Sequence, residues 1–310
     1  MNEFQLIAHL TQALPAGPGV VVGPGDDCAV LDLGVPGKYF LFKTDAVVEG
    51  VHFTGETPPE KIGRKALARA LSDVAAMAGT PIAALVTLGL PATFDTARVV
   101  AIYDGLNELA RTHGVAIVGG ETTTNPGGVL ISIALLASAV PGQIPLRSGA
   151  KVGDAIFVTG TLGGSLTGRH LEFEPRLAEA RWLVEHAAIH AMIDVSDGLA
   201  GDLRHILKGS GVGAALLKTA IPVSAAAKAC ARSGTNAKPA LLAALTDGED
   251  FELLFTVAAR EAVRLTDGWK QAFPHTKLTC IGKIVAGSDL VLNDKYGSQT
   301  FNGDGYVHFK

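Results

Sequence analysis

The segment Val22-Gly23-Pro24-Gly25-Asp26-Asp27-Cys28-Ala29-Val30-Leu31 sets two adjacent carboxylates between a glycine-proline-glycine turn and an apolar run. Proline and glycine fix a tight loop. Two like charges held side by side cost energy unless a cation or a donor shares them. Taken alone, the pair is a polar turn ahead of a strand. Repetition changes that reading. Short acidic loops are expected among apolar runs at Thr44-Asp45, Ser72-Asp73, Gly119-Gly120-Glu121-Thr122, Asp194-Val195-Ser196-Asp197-Gly198 and Gly248-Glu249-Asp250. The expectation is that they converge on one site holding magnesium ions and a polyphosphate.

The 310 residues are 48% hydrophobic and 18% charged, which gives material for sizeable cores and argues against disorder. A net charge of -4, with no Lys/Arg-rich run, excludes a broad nucleic-acid surface. Cys28, Cys230 and Cys280 form an odd, sparse set that reads as reduced thiols, not as a disulfide framework or a zinc site. The amino terminus lacks the basic-then-apolar order of a secretory signal. The best apolar run, Val129 to Val140, is too short to span a bilayer. A cytoplasmic protein without a membrane partner is expected.

In chain order, Phe4 to Leu14 reads as a short helix and Tyr39 to Phe42 as a strand running directly into Thr44-Asp45. A helix is expected from about Glu60 to Ala78, with Leu67, Leu71, Val74 and Met77 at helical spacing. Asp73 lies inside it, either as a surface ion pair with Arg69 or as a functional acid. Pro81 to Leu90, Val115 to Val118 and Val129 to Val140 read as strands and Thr96 to His113 as a helix; Gly119-Gly120 is expected to turn, allowing close approach of a ligand. Pro141 to Pro145 is the best linker, placing domains at 1–142 and 143–310. Beyond it come a strand at Ala155 to Thr159 and a glycine-rich loop from Gly160 to Ser165, either a turn or a phosphate cradle. Helices are expected over Leu177 to Ala191, Leu199 to Ser210 and Ser224 to Ala237, and strands over Phe251 to Val257, Leu278 to Val285 and Ser288 to Leu292. Asp197 has a simple alternative as the N-cap of the helix that follows it.

Acids at many separated positions suit hard cations with oxygen ligands, and magnesium takes one or two carboxylates plus substrate phosphates. Many acids therefore imply several ions and a ligand with several phosphates. A kinase acting on an alcohol needs a base to orient and deprotonate it, and the sequence offers no obvious constellation of that kind. An acceptor that is itself a phosphate is already ionised. The obstacle is then repulsion between anions, which clustered cations address.

These motifs resemble the thiamine-monophosphate kinase family, within the aminoimidazole ribonucleotide synthetase-like superfamily of ATP-binding proteins. The resemblance runs from Gly25-Asp26-Asp27-Cys28-Ala29 to about Ile284. It rests on Thr44-Asp45 with Glu49-Gly50-Val51-His52-Phe53, Lys65-Ala66-Leu67-Ala68 with Leu71-Ser72-Asp73-Val74-Ala75-Ala76-Met77, Arg147-Ser148-Gly149-Ala150-Lys151, Met192 to Leu199, and Gly248-Glu249-Asp250. It implies ATP-dependent phosphorylation of thiamine monophosphate to thiamine diphosphate, a step of thiamine biosynthesis, by direct in-line transfer without a catalytic side-chain nucleophile. It implies Asp27, Thr44, Asp45, Asp73, Glu121, Asp194 and Asp197 as magnesium ligands, with Asp26 in an outer position. Tyr103, Gly120, Glu121, Arg147 and Ser196 are the implied ATP contacts, and His52, Glu249 and Tyr306 the substrate contacts. The implied architecture is an α/β amino-terminal domain that forms a homodimer, followed by an α+β domain, with ATP between them.

The chain departs from the family pattern at Lys43, where Ser or Thr is usual, at Glu121 in place of Asp, and at Thr246-Asp247-Gly248 before Glu249; the segment between Gly168 and Met192 is also short. Lys43 either supplies part of a metal's charge or points to solvent. The alternatives to the kinase reading are another ATP-dependent enzyme of the superfamily, such as an aminoimidazole ribonucleotide synthetase-like one, and a non-catalytic nucleotide-binding regulator.

Overall fold

A computed structural model describes residues 3–15, 17–234, 237–303 and 305–306, and the chain divides into two compact units. The first comprises Gly19–Ile144 with Gly168–Leu177, and the second comprises Met1–Pro18, Pro145–Thr167 and Ala178–Lys310. Relative to a single cut after residue 142, the opening segment joins the later unit and residues 168–177 join the earlier one.

The first unit is built on a six-stranded sheet in the order β1-β2-β3-β6-β4-β5, from β1 (Val20–Val22), β2 (Ala29–Leu31), β3 (Tyr39–Val48), β4 (Thr80–Leu90), β5 (Ala116–Thr124) and β6 (Leu130–Ala139). All pairings are antiparallel except β4 with β5. The 10 residues of β6 alternate in burial, because one face of the strand packs on the core and the other does not. Helices α2 (Pro59–Ala76) and α3 (Thr96–His113) supply that core. Pro59 opens α2, where its missing N–H is not needed. Asp95 caps α3 by accepting from the Ala97 N–H at 2.9 Å, and left-handed Gly114 ends it.

The second unit carries α1 (Glu3–Thr11) and a seven-stranded sheet in the order β13-β12-β9-β11-β7-β10-β8. Its strands are β7 (Asp154–Thr159), β8 (Ile189–Asp194), β9 (Gly213–Leu217), β10 (Leu253–Ala258), β11 (Leu278–Val285), β12 (Leu290–Asp294) and β13 (Gly297–Thr300). Every residue of β7 is buried. The core joins Ile156, Val158, Ile193, Leu254 and Ile281 to Leu203 and Ile206 of α5 (Leu199–Ser210). The remaining helices are α4 (Leu177–His186), α6 (Ala225–Cys230), α7 (Ala240–Thr246) and α8 (Ala262–Ala272). Among the described residues, no helix is long and apolar enough to cross a membrane.

Several expectations from the sequence are corrected. Thr44-Asp45 and Gly119-Gly120-Glu121 are interior positions of β3 and β5, not loops. Ladder pairing overrides the turn propensity of the glycines: Val86 of β4 pairs with Gly120, and a Cβ at Gly120 would lie 1.8 Å from the Val86 carbonyl oxygen. The helix expected to reach Ala191 stops at His186, because the residues from Ile189 pair with β10. The alanine-rich helix from Ser224 is shorter than expected, and residues 235–236 of that stretch lie outside the described residues.

Candidate active site

In the first unit, the alternation of β3 decides which side chains meet α2. Lys43 and Asp45 share the face that carries buried Leu41 and Val47, whereas Thr44 lies on the opposite, exposed face and contacts Ser132 Oγ at 3.3 Å. Lys43 Nζ lies 2.9 Å from Asp73 Oδ2. Arg69, one turn before Asp73 on α2, grips Asp45 through Nε at 3.1 Å and Nη2 at 3.3 Å. Lys43 therefore does not point to solvent, and Asp73 is not a surface acid. Asp73 is 8% exposed and Asp27 2%, so both acids are buried.

Burial alone pushes the Lys43 ammonium down. The carboxylates of Asp73 and Asp45 outweigh that and hold it above its usual range. Burial, followed by the Asp73 charge, pushes the Cys28 thiol well up, so Cys28 is an inert neighbour and not a nucleophile. Cys28 also senses Asp26, Asp27 and Lys43, which places these groups in one electrostatic environment.

Gly120 and Glu121 lie on β5, separated from β3 by β6 and β4, roughly 14 Å across the ladder. Tyr103 is half-buried on α3, where burial pushes its phenol up. This unit therefore gathers Asp27, Lys43, Asp45 and Asp73, and does not bring Thr44 or Glu121 to them. His52 sits in the turn after β3, where its Nδ1 accepts from the Val48 N–H at 3.1 Å. The ring is therefore fixed with its proton on Nε2.

In the second unit, Asp194 ends β8 opposite Leu253 of β10, and the two chains stay joined beyond the ladder. Val195 N–H donates to Glu252 O at 2.8 Å, Phe251 N–H to Val195 O at 2.7 Å, and Glu249 N–H to Ser196 O at 2.6 Å. Tyr306 N–H donates to Asp197 O at 2.8 Å. The predicted residues Asp194, Ser196, Asp197, Glu249 and Tyr306 are thus brought together, mostly through backbone bonds. The join bends sharply: Glu249 and Phe251 have φ of 55° and 50°, left-handed values that a side chain rarely adopts and that collect at functional sites.

Asp197 is not the N-cap of α5; Gly198 occupies that position. Instead the Asp197 N–H donates to Asp202 Oδ2 at 3.0 Å. Asp202 is a site residue that the sequence reading missed. It is 2% exposed, and burial, then the charges of Asp197 and Asp194, push its carboxyl well up. Its only sequence signal is an acid in the first turn of an otherwise apolar helix face. Arg147 lies near enough to Asp202 and to His205 to bias both.

The glycine-rich loop after β7 is structural. Gly163 N–H donates to both carboxylate oxygens of Asp250, at 3.0 and 2.8 Å, and Gly164 N–H to Asp247 at 3.1 Å. Donors already bound to carboxylates are not a phosphate cradle. Asp247 also binds Lys238 at 2.6 Å, which explains why an acid stands before Gly248.

Residues 25–139 match the family model described as AIR synthase related protein, N-terminal domain. The thiamine-monophosphate kinase of Rhodopirellula baltica is 42% identical over 297 residues, covering 93% of this chain and 91% of that protein. This chain belongs to the thiamine-monophosphate kinase family. The thiamine-monophosphate kinase of Bacillus subtilis is 33% identical over 337 residues and is matched over 100% of both chains. A solved structure, AaThiL complexed with AMPPCP and TMP, aligns with a TM-score of 0.83 at 29% identity, over 99% of this chain and 97% of that one. The two-sheet α/β plus α+β architecture is that of this aminoimidazole ribonucleotide synthetase-like fold.

Proposed function

We propose that this protein phosphorylates thiamine monophosphate to thiamine diphosphate with ATP, by direct in-line attack of the substrate phosphate on the γ-phosphorus. The observation that carries this reading is the match along essentially the full chain to thiamine-monophosphate kinases, 42% identical in one case. The acceptor oxygen is already anionic, so no general base is required, and the protein's task is to position two anions and offset their repulsion.

Buried, oxygen-only donors suit magnesium. Its proposed ligands are Asp27, Asp45 and Asp73 in the first unit and Asp194 and Asp197 in the second, with Thr44 and Glu121, which stand away from the acids of the first unit, as candidates for a further ion. Bound there, magnesium would offset charge on the phosphates. Asp202 holds the Asp197 backbone, and Lys43 and Arg69 hold Asp73 and Asp45 ready. Arg147, Ser196, Gly120, Glu121 and Tyr103 are the proposed ATP contacts. His52, Glu249 and Tyr306 are the proposed substrate contacts; the Nε2–H of His52 is a donor suited to a phosphate oxygen.

A homodimer fits the first unit. Its sheet has a face turned away from α2 with Phe42 51% and Leu85 45% exposed, and Val118 on edge strand β5 is 62% exposed. We assign the protein to the cytoplasm as a biosynthetic enzyme.

The test is incubation with ATP, magnesium and thiamine monophosphate, followed by chromatography for thiamine diphosphate and ADP. Equimolar products are expected, and none from thiamine itself. Absence of thiamine diphosphate overturns the reading in favour of another acceptor or of a nucleotide-binding regulator.

A further inference from the structure

Lys65 is among the largest fully buried side chains of the protein, at 0% exposure. It projects from α2 into a polar contact that the proposed chemistry does not use. Its Nζ donates to the His52 carbonyl oxygen at 2.7 Å and lies 2.7 Å from His170 Nδ1. An ammonium only donates, so Nδ1 accepts and the His170 proton sits on Nε2. His170 is also buried, at 9% exposure.

His170 belongs to residues 168–177, which pack with the first unit. The same segment is tied down along its length. Arg64 donates to Phe173 O at 2.8 Å and to Glu174 at 2.9 Å, Lys61 meets Glu172 at 2.5 Å, and His113 meets Glu174 at 3.0 Å. The surface pairs among these add little each. The buried Lys65 contact differs in kind, because it reaches the His52 peptide from the interior. His52 is thereby held from two sides: by Val48 N–H at its ring and by Lys65 at its carbonyl.

We propose that Lys65 and His170 form a positioning pair for the substrate turn. Lys65 fixes the His52 peptide, and His170, brought in by segment 168–177, fixes Lys65. This rests on the assignment of His52 to thiamine monophosphate. Neither residue touches the reacting phosphates; both act by setting where the His52 ring stands, and ring misplacement is felt as lost substrate affinity.

The test is a steady-state comparison of Lys65→Met, His170→Leu and His170→Gln, the last keeping an acceptor for Lys65. Lys65→Met and His170→Leu are expected to raise KM for thiamine monophosphate about tenfold while leaving kcat and KM for ATP within about twofold. His170→Gln is expected to stay near the wild type. An unchanged KM for thiamine monophosphate in Lys65→Met, or equal losses in His170→Gln and His170→Leu, overturns the proposal.

Imidazole 15N spectra give a readout without turnover. His170 is expected to be protonated on Nε2 alone, and the His52 ring signals to shift in Lys65→Met and His170→Leu but not in His170→Gln. A proton on His170 Nδ1, or His52 signals unmoved in all variants, overturns the pair. If wild-type protein forms no thiamine diphosphate, the kinase assignment fails, and the spectra still decide whether Lys65 and His170 hold His52.

Discussion

The two units hold their acids by different means. In the first, carboxylates are matched by cations: Asp73 by Lys43 and Asp45 by Arg69. In the second, Asp194 and Asp197 sit in chain segments fixed by backbone bonds, with a third carboxyl, Asp202, underneath. The first arrangement offsets charge before any ligand arrives. The second sets its acids on a rigid, strained join, with Arg147 close enough to bias Asp202. Removing the Asp73 charge therefore strands the Lys43 ammonium in the first unit, whereas removing that of Asp197 leaves in place the backbone bonds that fix its segment.

The largest expected effect separates the two directly. Asp73→Asn and Asp197→Asn are each expected to lower kcat by about 100-fold or more, as loss of a group that stabilises transition-state charge does. Only Asp73→Asn is expected to unfold more easily, by about 2 kcal/mol. That is less than the full cost of a lone buried charge, because Lys43 keeps some solvent contact. Urea titration of both variants measures it, and equal stability losses would erase the contrast.

Glu249 offers the reverse signature. Glycine adopts its left-handed backbone without strain, so Glu249→Gly is expected to stabilise the fold by about 1 kcal/mol while raising KM for thiamine monophosphate. Thermal melting alongside initial rates checks both halves. Lys43→Ser removes a resident cation from Asp73, and one more divalent ion is expected to be retained with AMPPCP. Elemental analysis of the complex counts it.

A last expected effect concerns pH. Burial, then Arg147 and Lys208, lowers the His205 pKa from 6.5 to about 4. Between those values the unfolded chain binds the proton and the folded chain does not. The contribution is therefore present in full above pH 6.5 and lost as pH falls through 4. Denaturation from pH 7 to 4.5 is expected to show a loss of about 2 kcal/mol that His205→Asn removes.

Much of this was legible in the chain. The helix over Thr96–His113 and that over Leu199–Ser210 have the bounds that spacing and glycine stops predict. The acids of the second unit cluster as their recurrence after strand-like runs suggested. What was not legible came from tertiary pairing. Gly119-Gly120 reads as a turn until β4 supplies a ladder for it, and residues 189–191 read as helix until β10 does. Ion-pair partners were equally hidden: strand β3 presents Lys43 and Asp45 to α2, where they meet Asp73 and Arg69. Asp202 was missed because a first-turn acid is ordinary until its burial beneath Asp197 is known.

The central claim is that Asp73 of the first unit and Asp197 of the second each hold magnesium when nucleotide is bound. Electron paramagnetic resonance with manganese and AMPPCP tests it on the wild type, Asp73→Asn and Asp197→Asn. The account predicts that each variant binds fewer ions, or binds them at least about tenfold more weakly, than the wild type. Identical manganese isotherms in all three proteins would contradict it.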